Sequence, residues 1–264
     1  MEIVVCLKEI IDPEIPPSQF KIDPAAKRQL QEGHALVIST YDEHALEVAL
    51  KLKEAAGGTV TALCLGAPTA TTALKKALAM GADQAILVSD AALLAADAFG
   101  VASVLAAAIR KRGPFDLVLA GCESGDWASR AVGPLLAEEL GIPCVAYGSR
   151  VEKGAGGVQV RKAVEDGYEL IEAPLPLLVT ITSDETNIPR FPKLKDIMAA
   201  GRKPIPTWTA ADLSLAAGGK DGGRVAVADL TIPVRESRCE ILDGESPEEK
   251  VDRLVSRLRD LKLL

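Results

Sequence analysis

The fold of this chain is decided by the stretch VTALCLGAPTATTALKKALAMGADQAILV, residues 60–88. Two apolar runs, at residues 60–65 and 85–88, flank a segment with the pattern of a helix at residues 69–80. Both runs are continuous rather than alternating, as strands covered on both faces of a parallel sheet must be. Gly81 directly follows the helical segment, where a left-handed cap is favoured. The stretch therefore predicts a strand–helix–strand unit with parallel strands.

The same alternation extends in both directions, from the first residues to about residue 147. Further strands are predicted at residues 3–7, 117–120 and 143–146, and further helices at residues 43–56, 98–112 and 128–140. Residues 10–38, which contain four prolines, interrupt the pattern with predicted strand pieces at 19–22 and 36–39. Strands that alternate with helices argue for a doubly wound α/β fold with a mainly parallel sheet.

The chain changes character after the alternating part. Short antiparallel strands are predicted within residues 151–160 and 169–171, around glycine turns. The chain then becomes rich in Pro, Gly and Ala and ends in a charged amphipathic helix at residues 246–261. We therefore predict an α/β domain at residues 1–205 and a C-terminal extension arm at residues 206–264. Two interpretations of the arm remain open: a loose terminus, or a segment whose apolar side packs on another subunit.

Composition limits the possible functions. The chain has 264 residues, of which 48% are hydrophobic and 25% charged, and a formal net charge of −7. Without a Lys/Arg-rich run, nucleic acid is an unfavourable partner. No apolar run approaches the roughly 20 residues of a membrane helix, so we expect no membrane insertion. The five cysteines show no C-x-x-C spacing and are expected to be buried, reduced thiols. The N-terminus opens directly into a strand without room for a signal peptide, so a cytoplasmic location is expected.

A loop of small residues follows one of the predicted buried strands, in the stretch LAGCESGDWASRAVGP at residues 119–134. Gly121 and Gly125 allow the backbone to approach a ligand closely. The free N–H groups at the start of the next helix suit a phosphate, to which Ser129 adds a hydroxyl and Arg130 a positive charge. The loop lacks the Gly-Lys-Ser/Thr and Gly-x-Gly-x-x-Gly motifs. A tight strand–helix turn therefore remains the alternative.

Two further loops are expected to meet this one at the same edge of the sheet. Lys8, Gly66 and Gly121 each follow a predicted strand, and ligands of doubly wound sheets bind beyond the carboxyl ends of strands. Residues 39–42 precede a helix, which they can cap, and Tyr41 can also cover a ring. The three loops together predict a nucleotide site.

Groups for bond chemistry are scarce. His34 and His44 are the only histidines, and His44 falls inside a predicted helix, where a structural role is favoured. Neither a Gly-x-Ser-x-Gly elbow nor a His-Glu-x-x-His motif occurs. No catalytic residue and no metal ligand are predicted. The chain is therefore interpreted as a binding protein rather than an enzyme.

A second informative stretch, TSDETNIPRFPKLKDIMAA at residues 182–200, follows the apolar strand at 177–181. Pro189 keeps Ile188 out of the helical region, so the strand must end in an extended loop. Its exposed groups are expected to be Ile188, Arg190 and Phe191. A short amphipathic helix follows, with Leu194, Ile197 and Met198 on one side. A surface loop that only caps the sheet is the alternative.

The pattern Asn-x-Pro-Arg-aromatic at residues 187–191 resembles the signature of the electron transfer flavoprotein β subunit. Residues 77–83 are similar to the family's Ala-Leu-Ala-Met-Gly-Ala-Asp. Residues 4–12 resemble its opening strand, Val-x-Val-Lys-x-x-x-Asp, and residues 47–54 its Glu-x-Ala-x-x-Leu-Lys-Glu helix. The resemblance covers nearly the whole chain and implies an adenine-nucleotide-binding α/β domain.

The resemblance implies a heterodimer with an α subunit that holds most of the FAD. The β subunit would carry electrons from dehydrogenases through FAD at the α/β interface, bind a structural AMP, and pack its arm on the α subunit. In electron-bifurcating members, a second FAD takes the place of AMP. A nucleotide-binding regulatory α/β protein that acts alone is the alternative from another class.

The resemblance also implies site residues. With Lys8 from the strand-end argument, the predicted nucleotide site comprises Cys6, Lys8, Ser39, Thr40, Tyr41, Asp42, Leu65, Gly66, Gly121, Cys122, Gly125, Asp126, Ser129, Arg130, Ala131, Val132 and Gly133. The family commonly shows Asp-x-x-x-x-Gln-Thr/Val-Gly in this loop. Here Asp126 and Gly133 keep that spacing, the amide is missing, and Arg130 is new. Ser39 stands where an Asn is common.

Residues 183–200, which we name the docking segment, would contact the partner dehydrogenase. The implied contacts are Thr186, Asn187, Ile188, Pro189, Arg190 and Phe191. In the family, acyl-CoA-dehydrogenase partners are gripped by an apolar anchor directly before the Asn. Thr186 occupies that place here, so a different dehydrogenase is expected.

Overall fold

A computed structural model describes residues 1–94, 96–215, 223–233 and 239–264 of the chain. Its strands are β1 (Glu2–Leu7), β2 (Glu9–Ile11), β3 (Ile22–Asp23), β4 (Arg28–Gln29), β5 (Leu36–Ile38), β6 (Thr59–Leu65), β7 (Gln84–Val88), β8 (Leu117–Gly121), β9 (Cys144–Lys153), β10 (Val158–Val164), β11 (Gly167–Ala173), β12 (Leu177–Ile181) and β13 (Thr207–Trp208). Its α-helices are α1 (Thr40–Ala56), α2 (Thr71–Met80), α3 (Ala98–Arg112), α4 (Val132–Leu140), α5 (Leu194–Arg202) and α6 (Pro247–Asp260).

Nine strands form one sheet in the order β11-β10-β9-β12-β8-β1-β6-β7-β13. In this spatial order, β9, β12, β8, β1, β6, β7 and β13 are all parallel to one another. At the other end of the sheet, β10 pairs antiparallel with both β9 and β11. The chain runs outward from β1 through β6 and β7, and then returns to β8 on the other side of β1. The strand order therefore reverses between β1 and β8, which is the topological switch point of a doubly wound sheet. The predicted fold class is confirmed.

Helices cover both faces of the sheet, as the continuous apolar strands require. Alternate residues of β1 point to opposite faces, so that Ile3 and Val5 pack with α1 and α2, whereas Val4 and Cys6 pack with α3 and α4. Aromatic residues are only 3% of the chain, so small aliphatic side chains fill both cores. A buried framework of this kind holds the loops at the strand ends in fixed positions.

Three predictions about local structure are wrong. The helix expected from residue 128 begins at Val132, because Ala128 and Arg130 adopt left-handed backbone angles (φ 49° and 55°) that a right-handed helix does not accept. The strand expected at 19–22 is limited to the pairing of β3 with β4. The cysteines are not all buried, since Cys144 and Cys239 are exposed.

The first part of the predicted arm packs on the α/β domain. The carbonyl of Pro206 accepts from Leu87 N and that of Trp208 from Ser89 N, both at 2.9 Å, and Leu213 is buried. The terminal helix occurs as predicted, with Ser246 Oγ accepting from Glu249 N at 3.2 Å, and no residue of α6 is buried. Residues 216–222 and 234–238 of the predicted arm lie outside the described residues. No helix in the described part of the chain has the length and apolar character to cross a membrane.

Candidate functional site

The carboxyl ends of β1, β6 and β8 form one edge of the sheet, which we name the carboxyl edge, and the first turn of α1 ties the ends of β1 and β8 together. Asp42 is buried, and its two carboxylate oxygens accept from Lys8 N and Gly121 N, each at 2.8 Å. Ser39 Oγ accepts from Gly125 N at 3.2 Å. The structure therefore brings together five of the predicted nucleotide-site residues at the switch point. The side chain of Asp42 joins the two strand ends rather than capping α1.

Burial controls the ionisation of the groups behind this edge. Desolvation raises the pKa of Asp42 to about 7, while the two backbone N–H donors oppose the shift. Desolvation also raises the pKa of the Cys6 and Cys122 thiols. These cysteines are therefore neutral, apolar wall residues. In the described part of the chain, no cluster of three or more His, Cys, Asp or Glu side chains is arranged to hold a metal ion.

The space beside the glycines of the site is occupied by other residues of the protein rather than left for a ligand. A Cβ on Gly121 would lie 2.6 Å from Asp42 Oδ1, and one on Gly125 would lie 2.9 Å from Ile10 Cδ1. A Cβ on Gly133 would lie 2.3 Å from Thr180 Cγ2. The expectation that Gly121 and Gly125 open the backbone to a ligand is therefore corrected: they let α1 and β2 approach the loop.

The loop between β8 and α4 has the features of an anion site. Ala131 precedes α4, and no side chain of the described residues caps the first turn of that helix. Left-handed Arg130 is followed by right-handed Ala131, a pair of conformations that turns successive N–H groups towards one point. Pro134 carries no N–H, so Ala131, Val132 and Gly133 provide the donors. These open donors and the positive end of the helix dipole fit a phosphate.

Two cations stand at the rim of this loop, and each has an acidic partner. Lys8 Nζ lies 2.7 Å from both carboxylate oxygens of Asp126. Arg130 Nε is paired with Glu123, and the Arg130 side chain remains 61% exposed. Ser129 is exposed at the same rim. The cations are thus beside the loop, but a bound phosphate would compete with Asp126 and Glu123 for them.

The other end of the carboxyl edge carries an unsatisfied acceptor. Among the described residues, Glu9 Oε1 is the buried side-chain oxygen without a hydrogen-bond partner, while Oε2 accepts from Thr69 Oγ1 at 2.6 Å. Glu9 directly follows Lys8, and Thr69 lies three residues beyond Gly66. A hydroxyl or amino donor of a nucleotide would satisfy Glu9. Glu9 and Thr69 were not among the predicted site residues, although their positions after two strand ends were a usable signal.

The remaining predicted nucleotide residues surround these groups. Leu65, Gly66 and Tyr41 are partly buried, and Thr40 is exposed. Desolvation raises the pKa of Tyr41, as do the neighbouring Cys122 and Glu123. Tyr41 therefore stays a neutral phenol beside the loop that carries Arg130.

In the docking segment, Asn187 is a buried structural residue. Its Oδ1 accepts from Asp184 N at 2.8 Å and its Nδ2 donates to Ser149 O and Thr182 O at 2.9 and 2.8 Å. His44 Nδ1 lies 2.9 Å from both Asn187 O and Asn187 Oδ1. Because both oxygens accept, Nδ1 of His44 carries the proton. Asn187 and His44 thus fix the segment on α1.

Arg190 faces α1 rather than solvent. Its Nε lies 2.8 Å from Glu47 Oε2 and its Nη2 lies 3.0 Å from Glu47 Oε1, while Nη1 and Nη2 also contact Glu54. The Glu47 side chain is only 3% exposed. The bonds to Glu54 and Glu47 raise the pKa of Arg190, and the bond to Arg190 lowers that of Glu54. The sequence pattern predicted that Arg190 is offered to a partner, but in the structure its guanidinium group is held in an internal ion-pair network.

The other predicted contacts of the docking segment differ in exposure. Thr186 is partly buried, with its hydroxyl donating to Asp184 Oδ1 at 2.7 Å and its carbonyl accepting from Lys51 Nζ at 2.6 Å. Pro189 is partly buried, whereas Ile188 is exposed and Phe191 is 95% exposed. The segment therefore presents apolar side chains from a polar, fixed base.

Comparison with known proteins finds similarity to one protein family. A family model described as the electron transfer flavoprotein domain matches residues 29–213. The electron transfer flavoprotein subunit beta of Clostridium acetobutylicum is 37% identical over 262 residues, 98% of each chain. The caffeyl-CoA reductase-Etf complex subunit CarD of Acetobacterium woodii is 35% identical over 267 residues, 100% of each chain. The protein FixA of Azotobacter vinelandii is 34% identical over 95% of this chain and 91% of its own.

Proposed function

The chain belongs to the electron transfer flavoprotein family as a β subunit, and from this premise we propose that it binds AMP at its carboxyl edge and forms a heterodimer with an α subunit. FAD held between the two subunits would supply the redox chemistry. The docking segment would bring a dehydrogenase to this heterodimer. The chain itself would perform no bond chemistry, and the raised pKa of the buried Cys6 and Cys122 thiols supports this, since neutral thiols are poor nucleophiles.

One observation carries the nucleotide proposal. The loop after β8 leads into the uncapped start of α4, and the loops after β1 and β6 follow the neighbouring carboxyl ends of the same sheet. Backbone donors at residues 131–133 would hold the phosphate, and Arg130 and Lys8 would supply charge from the rim. The unsatisfied Glu9 Oε1 would accept from the sugar or base. An anion-binding end and a hydrogen-bond acceptor are what a mononucleotide requires, and these groups would supply both.

The exposed terminal helix supports the heterodimer. Val251 and Leu254 on α6 are 56% and 45% exposed, and no residue of that helix is buried. A charged helix with an apolar side gains stability by packing that side on another surface. We propose the α subunit as that surface.

The test is mass spectrometry of the nucleotides released from co-purified α and β chains. We expect one AMP and one FAD for each heterodimer. Two FAD and no AMP would replace the proposal with an electron-bifurcating flavoprotein. A flavin-free, monomeric chain that carries ATP would instead support a regulatory nucleotide-binding protein that acts alone.

A further inference from the structure

A cavity of about 510 Å³ lies at the amino end of β7, on the opposite edge of the sheet from the carboxyl edge. β13 pairs with β7 at Leu87 and Val88 and leaves residues 84–86 uncovered. These three residues, the C-terminal turns of α2 and α3, and residues between 203 and 208 line the space, which we name the amino-end cavity. Cavities of this size hold small molecules in proteins.

Apolar side chains form much of the wall of the amino-end cavity. Leu78 and Ile86 are buried, and Pro204 and Pro206 complete the wall with the partly buried ring of Trp208. The backbone beside that ring is fixed, because the carbonyls of Pro206 and Trp208 both accept from the β7 strand and the residue after it. Such a wall favours a ligand with an apolar body, whose burial removes apolar surface from water.

The charged groups that line the cavity are mostly cations: Lys111, Arg112, Lys203 and a single acid, Asp83. The carboxylate of Asp83 already has a counter-charge, since its Oδ1 lies 2.7 Å from Lys53 Nζ. Arg112 is also engaged, because Nη2 is paired with Glu2 and Nη1 donates to the carbonyl of Pro114 at 2.5 Å. The two lysines therefore supply the positive charge that remains for a ligand.

Both lysines retain hydrogen-bond donors. Lys111 Nζ donates to the carbonyl of Asp212 at 2.8 Å and stands 5.3 Å from the ring centroid of Trp208. Lys203 Nζ donates to two backbone carbonyls over long distances, 3.3 Å each. Among the described residues, no carboxylate forms an ion pair with either ammonium group. Because an ammonium group has three donors, an anion would strengthen the bonding of both.

We infer that the amino-end cavity is a binding site for an organic carboxylate with an apolar body. The carboxylate accepts from Lys111 and Lys203, and the apolar body packs against Ile86 and Trp208. A phosphate is less suited to the cavity, because the guanidinium fork of Arg112 that would match it is occupied and two point charges remain. The inference goes beyond the proposed function and does not depend on it, since the nucleotide would lie at the other edge of the sheet.

The test is isothermal titration calorimetry on the full-length chain as it purifies, with its α subunit where the two remain together. The probes are 2-naphthoate, which joins a carboxylate to a flat ring, and octanoate, which joins it to a chain. We expect saturable binding of at least one of them, and the tighter probe identifies the kind of apolar body. The double variant Lys111→Gln with Lys203→Gln should raise the dissociation constant at least tenfold, because it removes two charge-assisted hydrogen bonds. Both lysine side chains are exposed, so the variant should keep the wild-type melting temperature.

Lys153→Gln is the matched control, because it removes the same charge from an exposed lysine at the end of β9, outside the cavity. It should leave the dissociation constant unchanged. A second control is 2-naphthamide, which keeps the ring of 2-naphthoate without its charge and should bind at least tenfold more weakly. Equal affinity of the wild type and the double lysine variant would overturn the site, as would no saturable binding of either carboxylate at millimolar concentration.

Competition separates this site from other anion sites. Inorganic phosphate should not displace the bound carboxylate, and tighter binding of phosphate than of either carboxylate would overturn the ligand class. The carboxylate should also leave the nucleotide content of the protein unchanged. Release of a nucleotide by 2-naphthoate would place the probe at the carboxyl edge and overturn the inference, while leaving the proposed nucleotide site in place.

Discussion

Removing the side chain of Arg190 should weaken the attachment of the docking segment to α1, and not only change the surface of the segment. Arg190→Ala takes away the two guanidinium bonds that neutralise Glu47, whose side chain is 3% exposed. Breaking a buried ion pair by deleting one partner costs about 3–5 kcal/mol, because the other charge is left uncompensated. The bonds to Glu54 add little, since that side chain is 58% exposed. Lys51 Nζ, 3.8 Å from Glu47 Oε1, offsets part of the loss. We therefore expect about 3 kcal/mol.

Hydrogen exchange of the α/β heterodimer measures this cost locally. A loss of about 3 kcal/mol corresponds to roughly a 100-fold increase in the opening of the segment, read at the amides of residues 187 and 190. The control is Arg150→Ala, which removes a pair with Glu152 whose side chains are 53% and 51% exposed, and should change exchange less than fivefold.

The double variant Glu47→Leu with Arg190→Leu supplies the second comparison. Replacing both members of a buried pair by apolar residues is often close to neutral, so this variant should recover most of the protection at residue 187. The amide of residue 190 is left out of this comparison, because its acceptor is Glu47 Oε2 at 3.1 Å. Exchange in Arg190→Ala within threefold of wild type would refute the reasoning, since it would mean that Glu47 needs no counter-charge.

The remaining predictions concern the carboxyl edge and the arm. The pKa of Asp42 in the folded protein is about 7, above its ordinary value of 3.8. The free energy of unfolding of wild type, measured relative to Asp42→Asn by denaturant titration, should therefore fall as pH rises from about 4 to 7, by at most about 4 kcal/mol. A pH-independent difference contradicts this. Arg130→Ala should weaken nucleotide retention by roughly 1–3 kcal/mol in dialysis followed by mass spectrometry, and unchanged content would remove Arg130 from the site. A chain that ends at Leu215 keeps β13 and should lose the α subunit in size-exclusion chromatography; co-elution at nanomolar concentration would show that the arm is not required.

The sheet was predictable because burial on both faces imposes a pattern on every strand. Continuous apolar runs at residues 3–7, 60–65 and 117–120 leave no polar side for solvent, and the helices between them must cover both faces. The start of α4 was not predictable in the same way. Ala128 is a good helix former, so local propensity favours a helix where the loop instead requires left-handed backbone at Ala128 and Arg130.

The polar contacts of the docking segment could not be predicted from the sequence, for a different reason. Arg190 and Glu47 are separated by 143 residues, so no local pattern connects them. A weaker signal existed in α1, where Glu47 lies between Leu46 and Val48 in a helix whose other buried side chains, apart from Asp42, are apolar. A carboxylate at such a position requires a cation from elsewhere, although the sequence does not say which one.

Both predicted sites, the carboxyl edge and the docking segment, are held in place by residues of helix α1. Its first turn places Ser39 and Asp42 under the loops of the carboxyl edge, and the next turns place His44 and Glu47 under the docking segment. Because buried side chains pack α1 against the sheet along its length, these polar groups have fixed positions relative to one another. A substitution that shifts α1, such as a larger residue at Ala45, would therefore disturb both sites together, whereas substitution of the exposed Phe191 would leave the carboxyl edge intact.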